Sequence, residues 1–396
     1  MTSNGTDTGS GTSQSKPYSI WMAESVIARG QGLASPDGDS GQWLRIGFFQ
    51  TALLEILSAN GLDDMVEQRE RVLDYLECGT RKAASLVLDA KRNVTFSLDR
   101  LSLGRGLSFQ YERSKDELYK NALDALRESI DLQPRNHFGG LWYFHYPDLS
   151  YLDGMYMLVP FMLDYSGRRG IDEADNAVCE ILQQINLLWK HCFHQPSGLF
   201  VHGYDSSQKY EWSHNKNGAS PFVWGRSLAW LTLALLAALE SPTMSKDSAK
   251  WENLKSKFQY LIKKVVHCRD SKSNGWWQLM CSPDLPGNYI ESSCSSIFVF
   301  VILRGSRLGF LESLLPDDNI EKAACEAYDA IVRKFVVKRD DGTLGLNGTV
   351  DVCSLNSPAS YDISITLVAP FNKTVFLEHP HLSLQASKEN AILARH

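Results

Sequence analysis

The sequence predicts an all-α fold, an (α/α)6 barrel in which six helical hairpins form a double ring. Three observations point there. Apolar residues recur at helical spacing through most of the 396 residues. Strand-like alternation is confined to short pieces at 198–202 and 276–280. The helical stretches are joined by alternating short and long connections. The periodicity places helices at roughly 18–29, 42–58, 67–91, 99–112, 115–130, 152–165, 172–190, 222–240, 247–266, 288–309 and 318–335, with a twelfth near 382–395.

Residues 1–16 are rich in Gly, Ser and Thr and nearly free of apolar side chains. Such a segment cannot bury a core and is expected to be disordered. It also lacks the apolar stretch of a secretory signal. Residues 17–396 read as one domain. The helix at 99–112 opens on Asp99, which is either a cap or a site carboxylate. The connection after 115–130 carries Trp142, Tyr143, Phe144, His145 and Tyr146. The one after 172–190 carries Phe200, His202, Tyr204, Tyr210 and Trp212, and the one before 288–309 carries Trp276 and Trp277. Loops gathered at one end of a rigid scaffold are where sites are built. Flat aromatic faces beside carboxylates suit a sugar ring, whose C–H faces stack while its hydroxyls seek polar partners. The competing role for some of these rings is to plug gaps between loops.

Composition narrows the class. Hydrophobic content of 43% with 22% charge describes an ordinary globular chain. A net charge of −6 argues against a nucleic-acid surface. The longest apolar run, Leu228 to Leu239, is too short for a bilayer, which needs about 20 residues. The eight cysteines are scattered without a Cys-x-x-Cys pair, so reduced and mostly buried thiols are expected. Cytoplasmic residence follows as the expectation, with secretion left open. No metal or cofactor is expected: His191-Cys-Phe-His194 and His379-Pro-His381 lack a supporting ligand pair, and no Gly-rich phosphate loop follows a strand.

The most informative residue is Asp153, in the run 149–161. A carboxyl set among aromatic and aliphatic neighbours is poorly solvated, which favours the protonated form that a general acid needs. Its competing role is to cap the helix beginning near Met155. Arg226 lies on a largely apolar helix, where an unpaired guanidinium is costly to bury. It therefore needs an anionic partner, either a substrate carboxylate or a structural Asp or Glu. Asp205, beside His202, is a lesser candidate because the turn 203–207 also favours Asp for local backbone bonding.

Five ordered segments carry a family resemblance: Trp21-Met-Ala-Glu-Ser-Val-Ile-Ala-Arg29; Leu98-Asp-Arg-Leu-Ser-Leu-Gly-Arg105; Tyr151-Leu-Asp-Gly-Met-Tyr-Met157; His202-Gly-Tyr-Asp205 with Ser220-Pro-Phe-Val-Trp-Gly-Arg-Ser-Leu-Ala-Trp230; and Pro286-Gly-Asn-Tyr-Ile-Glu-Ser-Ser-Cys-Ser-Ser-Ile-Phe298. The chain resembles the unsaturated rhamnogalacturonyl hydrolases of glycoside hydrolase family 105, which are (α/α)6 barrels. The resemblance implies removal of a terminal 4,5-unsaturated uronic acid from lyase-generated pectin oligosaccharides. It implies Asp153 as general acid and base, with Asp99 as its partner carboxylate. It further implies His202, Trp224, Arg226 and Trp230 as substrate contacts, with Arg226 facing the uronate. Trp142 and Tyr151 join them as pocket residues.

The chain departs from the family in two places. Many members have a Trp two residues before the catalytic Asp and a His-Lys pair about ten residues upstream. Tyr151 and Trp142-Tyr143 stand there instead, which bears on the leaving sugar. The segment 362–396 is also atypical, reading Leu377-Glu-His-Pro-His381 where an aromatic, Gly-rich stretch is expected. Two other classes stay open: another barrel enzyme, such as a conventional inverting glycosidase or a sugar epimerase, and a carbohydrate binder without turnover. A monomer or weak homo-oligomer acting on a small oligosaccharide is expected.

Overall fold

Apolar side chains at helical spacing fold into twelve α-helices among the described residues. The structure is a computed structural model, and it describes residues 16–39, 41–58, 65–213, 217–314 and 320–350. The helices are α1 (Tyr18–Ala28), α2 (Gln42–Ser58), α3 (Val66–Leu86), α4 (Ala90–Asn93), α5 (Gly104–Ser114), α6 (Glu117–Asp131), α7 (Gly154–Gly167), α8 (Ile171–His191), α9 (Gly225–Glu240), α10 (Ala249–His267), α11 (Ser292–Arg307) and α12 (Ile320–Phe335). A 3-10 helix, Leu98–Leu103, runs directly into α5. The tail expected at 1–16 lies outside the described residues except for Lys16, which pairs with Glu24. The helix expected at 382–395 and the atypical segment 362–396 also lie outside them.

Burial sorts the helices into two layers. α2, α7, α9 and α11 are apolar nearly all round and bury most of their residues. α6, α8, α10 and α12 bury one stripe and expose the other face. A helix apolar all round belongs inside, and a one-sided helix belongs on the surface. Contacts follow that sorting. The inner elements pack in sequence, α2 on the 3-10 helix, that on α7, α7 on α9 and α9 on α11. Each is backed by an outer neighbour: α1 and α3 on α2, α6 on α5, α8 on α7, α10 on α9, and α12 on α11. The buried leucines of α9 (Leu228, Leu231, Leu235, Leu236 and Leu239) each contribute about 2 kcal/mol relative to exposure.

Several boundaries differ from the periodicity. The helix expected over 67–91 stops at Leu86, and α4 starts anew because the Asp89 side chain accepts from the Lys91 and Arg92 amides. Three small antiparallel pairs form: β1 (Leu149–Tyr151) with β4 (Gly203–Asp205), β2 (Phe193–His194) with β3 (Leu199–Phe200), and β5 (Val336–Lys338) with β6 (Leu344–Leu346). The β2–β3 pair is the loop hairpin expected at 198–202. At 276–280 no strand forms; Trp277 and Leu279 make isolated bridges to Ile290 and Trp224. The expected burial of cysteines is also corrected. Of the described cysteines, all free, Cys78, Cys179, Cys281 and Cys325 are exposed, and only Cys192 and Cys294 are buried. No helix among the described residues is long and apolar enough to cross a membrane.

Candidate active site

The 3-10 helix and the starts of α7, α9 and α11 converge at one end of the inner layer. Asp153 immediately precedes α7. Its backbone is already helical (φ −54°, ψ −43°) and its side chain makes no capping bond. The capping role is therefore excluded. Its Oδ2 instead accepts from Ser227 Oγ at 2.5 Å and lies 3.5 Å from His202 Nε2. Ser227 stands in the first turn of α9, so one bond ties the starts of two inner helices.

His202 arrives through the β1–β4 pair, which the sequence did not foretell. Tyr151 pairs with Gly203, and the Leu152 amide donates to the His202 carbonyl at 3.0 Å. The close pairing requires glycine at 203, where a Cβ would stand 2.5 Å from the Ser150 carbonyl oxygen. The imidazole is held edge-on by Tyr151 and Trp224, with ring centroids at 4.7 and 4.6 Å. It is 0% exposed, and burial holds its pKa below the ordinary histidine value, so it is neutral at pH 7. Neither ring nitrogen makes a hydrogen bond among the described residues. A buried imidazole left in that condition is costly unless a ligand satisfies it.

Asp99, in the first turn of the 3-10 helix, is buried, and both its carboxylate oxygens accept from the Tyr143 hydroxyl at 2.9 Å. Burial pushes its carboxyl up to about 6, against the pull of hydrogen bonds from Tyr143 and Ser97; the charge of Asp153 raises it further and that of Arg226 lowers it. The two acids and the arginine therefore form one electrostatic cluster. Tyr143 is fixed by its backbone, whose amide donates to the Leu149 carbonyl and whose carbonyl accepts from the Leu98 amide, both at 2.9 Å. Its ring stacks on Tyr151 at 4.8 Å.

Arg226 donates to the Val350 carbonyl. The same residue's amide donates to Glu291 at 3.0 Å. Glu291 is fully buried and caps α11, accepting from the Ser293 hydroxyl at 2.8 Å and the Cys294 amide at 2.6 Å. The chain at Val350 is thus pinned between the arginine and the cap.

The remaining expected contacts divide. Trp224 caps the wall beside His202, and its neighbour Gly225 donates to the Gln278 carbonyl at 2.8 Å. The Trp142 indole N–H is buried without a partner among the described residues, next to Tyr143. Trp230 lies elsewhere. One turn deeper on α9, its ring stacks on Tyr156 at 5.4 Å and meets Phe48 edge-on at 5.1 Å, a core position beneath the acids. Asp205 is a turn organiser: it accepts from the Ser207 and Tyr210 amides and the Ser207 and Ser213 hydroxyls, which holds its carboxyl below the usual range despite burial. Phe200 and Trp276 are packing plugs, against Trp189 and Phe298 respectively.

A separate cavity of about 670 Å³ lies at the opposite end, where α7, α9 and α11 finish. Two of its arginines are paired with its carboxylates, Arg105 with Glu55 at 2.7 Å and Arg304 with Glu240 at 2.6 Å. It holds neither acid of the pair nor the histidine. Tyr143, Ser227 and Glu291 escape the sequence reading as assigned residues, because each is defined by a partner distant in the chain.

Comparison with known proteins identifies the family and the fold. The model of Glycosyl Hydrolase Family 88 matches residues 46–377. "Protein Atu3128" of Agrobacterium fabrum is 30% identical over 200 residues, 50% of this chain and 82% of that protein. A glycoside hydrolase from family 105 of C. acetobutylicum ATCC 824 superposes with a TM-score of 0.77 at 24% identity, over 95% of this chain and 98% of that one. An unsaturated glucuronyl hydrolase from Bacillus sp. GL1, responsible for the degradation of glycosaminoglycan, superposes with a TM-score of 0.60 at 12% identity, over 93% and 97%. The all-α barrel expected from the sequence, and the resemblance to family 105, are both met. The chain belongs to Glycosyl Hydrolase Family 88 and is a hydrolase built on the helical barrel seen in the family 105 structure.

Proposed function

We propose that this hydrolase removes a terminal 4,5-unsaturated uronic acid from lyase-generated pectin oligosaccharides of the rhamnogalacturonan type, by hydrating the enol ether. One observation carries the reading. The Asp153 carboxyl is not used by its own helix and instead faces Ser227 and a neutral, unsatisfied His202, with a second carboxylate, Asp99, in the same cluster.

In this mechanism Asp153 gives its proton to C4 of the sugar. Water adds at C5, and the proton it sheds returns to Asp153. The resulting hemiketal opens and expels the aglycone. Asp99 stands in the same electrostatic cluster as Asp153 and Arg226, where it can help to place the water. Arg226 supplies the cation for the uronate carboxylate. His202 offers one donor and one acceptor to sugar hydroxyls, and Trp224 and Tyr151 give it apolar walls. The glucuronyl hydrolase of Bacillus sp. GL1 is named for an unsaturated uronate, which supports the substrate class.

A conventional inverting glycosidase places its two carboxyl groups on opposite sides of the glycosidic bond. Here both belong to one electrostatic cluster with Arg226, which favours protonation of the vinyl carbon. The test is a panel of lyase-generated disaccharides with different leaving sugars, followed by enol-ether absorbance and by chromatography of the free sugars. Loss of absorbance in step with sugar release supports the proposal. Sugar release that runs ahead of absorbance loss supports the conventional reaction, and no release from any member removes the proposal.

A further inference from the structure

The Tyr143 hydroxyl stands 2.9 Å from each oxygen of Asp99, an arrangement that one rotatable proton can satisfy only while the carboxylate sits square to the ring. The phenol does not wander. Its backbone is bonded on both sides, to Leu149 and to Leu98, and its ring lies flat on Tyr151. The Leu98 bond is the more telling, because it locks the loop carrying the tyrosine to the residue preceding Asp99 itself. Donor and acceptor are therefore held by one short frame.

We infer that Tyr143 is a positioning residue for the proposed reaction: it grips the Asp99 carboxylate by both oxygens and stabilises its charged form opposite Asp153. The inference rests on the proposed function for its meaning, though its geometry stands alone. Tyr143 acts through Asp99, and the work assigned to it is electrostatic. A carboxylate taken out of water loses its solvation, and a hydroxyl aimed at it restores part of that loss. Asp99 has other neighbours that bear on its charge. Ser97 donates from its own helix, Asp153 opposes it from the start of α7, and Arg226 favours it from α9. Arg100, adjacent in sequence and fully buried, donates to Ser129 and Gln133 and also interacts with Asp99 through its charge. His202, neutral, adds no charge. With burial the largest influence on Asp99 and Tyr143 the first to offset it, the tyrosine is the residue whose loss moves the balance most.

The experiment compares the full chain with Tyr143→Phe, which keeps the ring and its stacking on Tyr151. Aspartate carboxyls are labelled with carbon-13, and the Asp99 signal is assigned by its disappearance in Asp99→Asn. The titration midpoint is expected near 6 in the parent. In Tyr143→Phe it is expected to rise by about one pH unit, because a donor to the charged form is gone. An unmoved or lowered midpoint would overturn the inference. In turnover, the acid limb of kcat/KM is expected to move the same way. Tyr143→Phe added to Asp99→Asn is expected to cost no further rate, whereas an added loss there would show a role independent of Asp99. The carboxyl titration needs no substrate, so a parent inactive on unsaturated uronates would sink the proposed function without touching this result. A merely structural tyrosine would lower thermal stability and leave the midpoint in place.

Discussion

Glu291→Ala tests how a helix cap reaches the substrate site. Glu291 is fully buried at the start of α11, where its carboxylate serves the Ser293 hydroxyl, the Cys294 amide and the Val350 amide. Alanine removes the cap, at a cost of about 0.5–2 kcal/mol. It also strands the Val350 amide, a buried donor whose loss of partner costs about 1–3 kcal/mol. Together the expected destabilisation is about 2–5 kcal/mol. The effect extends to function because Arg226 donates to the carbonyl of the same Val350. Freed from the cap, Val350 no longer fixes the guanidinium, and KM for a uronate substrate is expected to rise while kcat changes little. Urea unfolding reads the first effect and steady-state kinetics at several substrate concentrations reads the second. Glu291→Gln, which keeps one acceptor, is expected to fall between parent and alanine. An alanine variant within about 0.5 kcal/mol of the parent, with KM unchanged, would refute both the cap and its link to Arg226.

Two further predictions concern stability. The folded chain holds the Asp99 proton more tightly than the unfolded chain does, so this group makes stability fall as pH rises from about 4 to its folded value of about 6, and it remains lower above that. The total is about 3 kcal/mol, and Asp99→Asn is expected to remove that pH dependence and to be more stable than the parent at pH 8; equal slopes in both proteins would contradict the buried-charge account. Gly203→Ala forces a Cβ to within 2.5 Å of the Ser150 carbonyl, so the β1–β4 pair must part. A loss of about 1–3 kcal/mol and a displaced His202 are expected, measurable by thermal unfolding and by loss of turnover, and an alanine variant with parental values of both would contradict the pairing.

The sequence made the helices legible because a 3.6-residue period survives over long windows, as in α8 and α12. It concealed β1 and β4 because three-residue strands buried on both faces show no alternation. Asp153 was equally a cap and an acid on spacing alone. The choice depended on its helical backbone angles and on Ser227, 74 residues away. Tyr143 was visible as an aromatic near the site, but its bond to Asp99 spans 44 residues, a pairing no local pattern encodes. Trp230 stands one turn beyond Arg226 on the same helix, and its packing beside Phe48 is a contact that the motif alone does not reveal. The exposed cysteines were misjudged from type alone, since residue preference for burial is an average and not a position.

The central claim is that one carboxyl delivers a proton to a vinylic carbon. It is tested most directly by the initial rate of enol-ether absorbance loss on an unsaturated uronyl disaccharide, compared between the parent and Asp153→Asn. The substitution keeps size and shape while removing the transferable proton. The account predicts that the parent bleaches the chromophore as the aglycone appears and that the asparagine variant, folded as judged by circular dichroism, is slower by about 10²–10⁴-fold. Bleaching by Asp153→Asn within tenfold of the parent would contradict it.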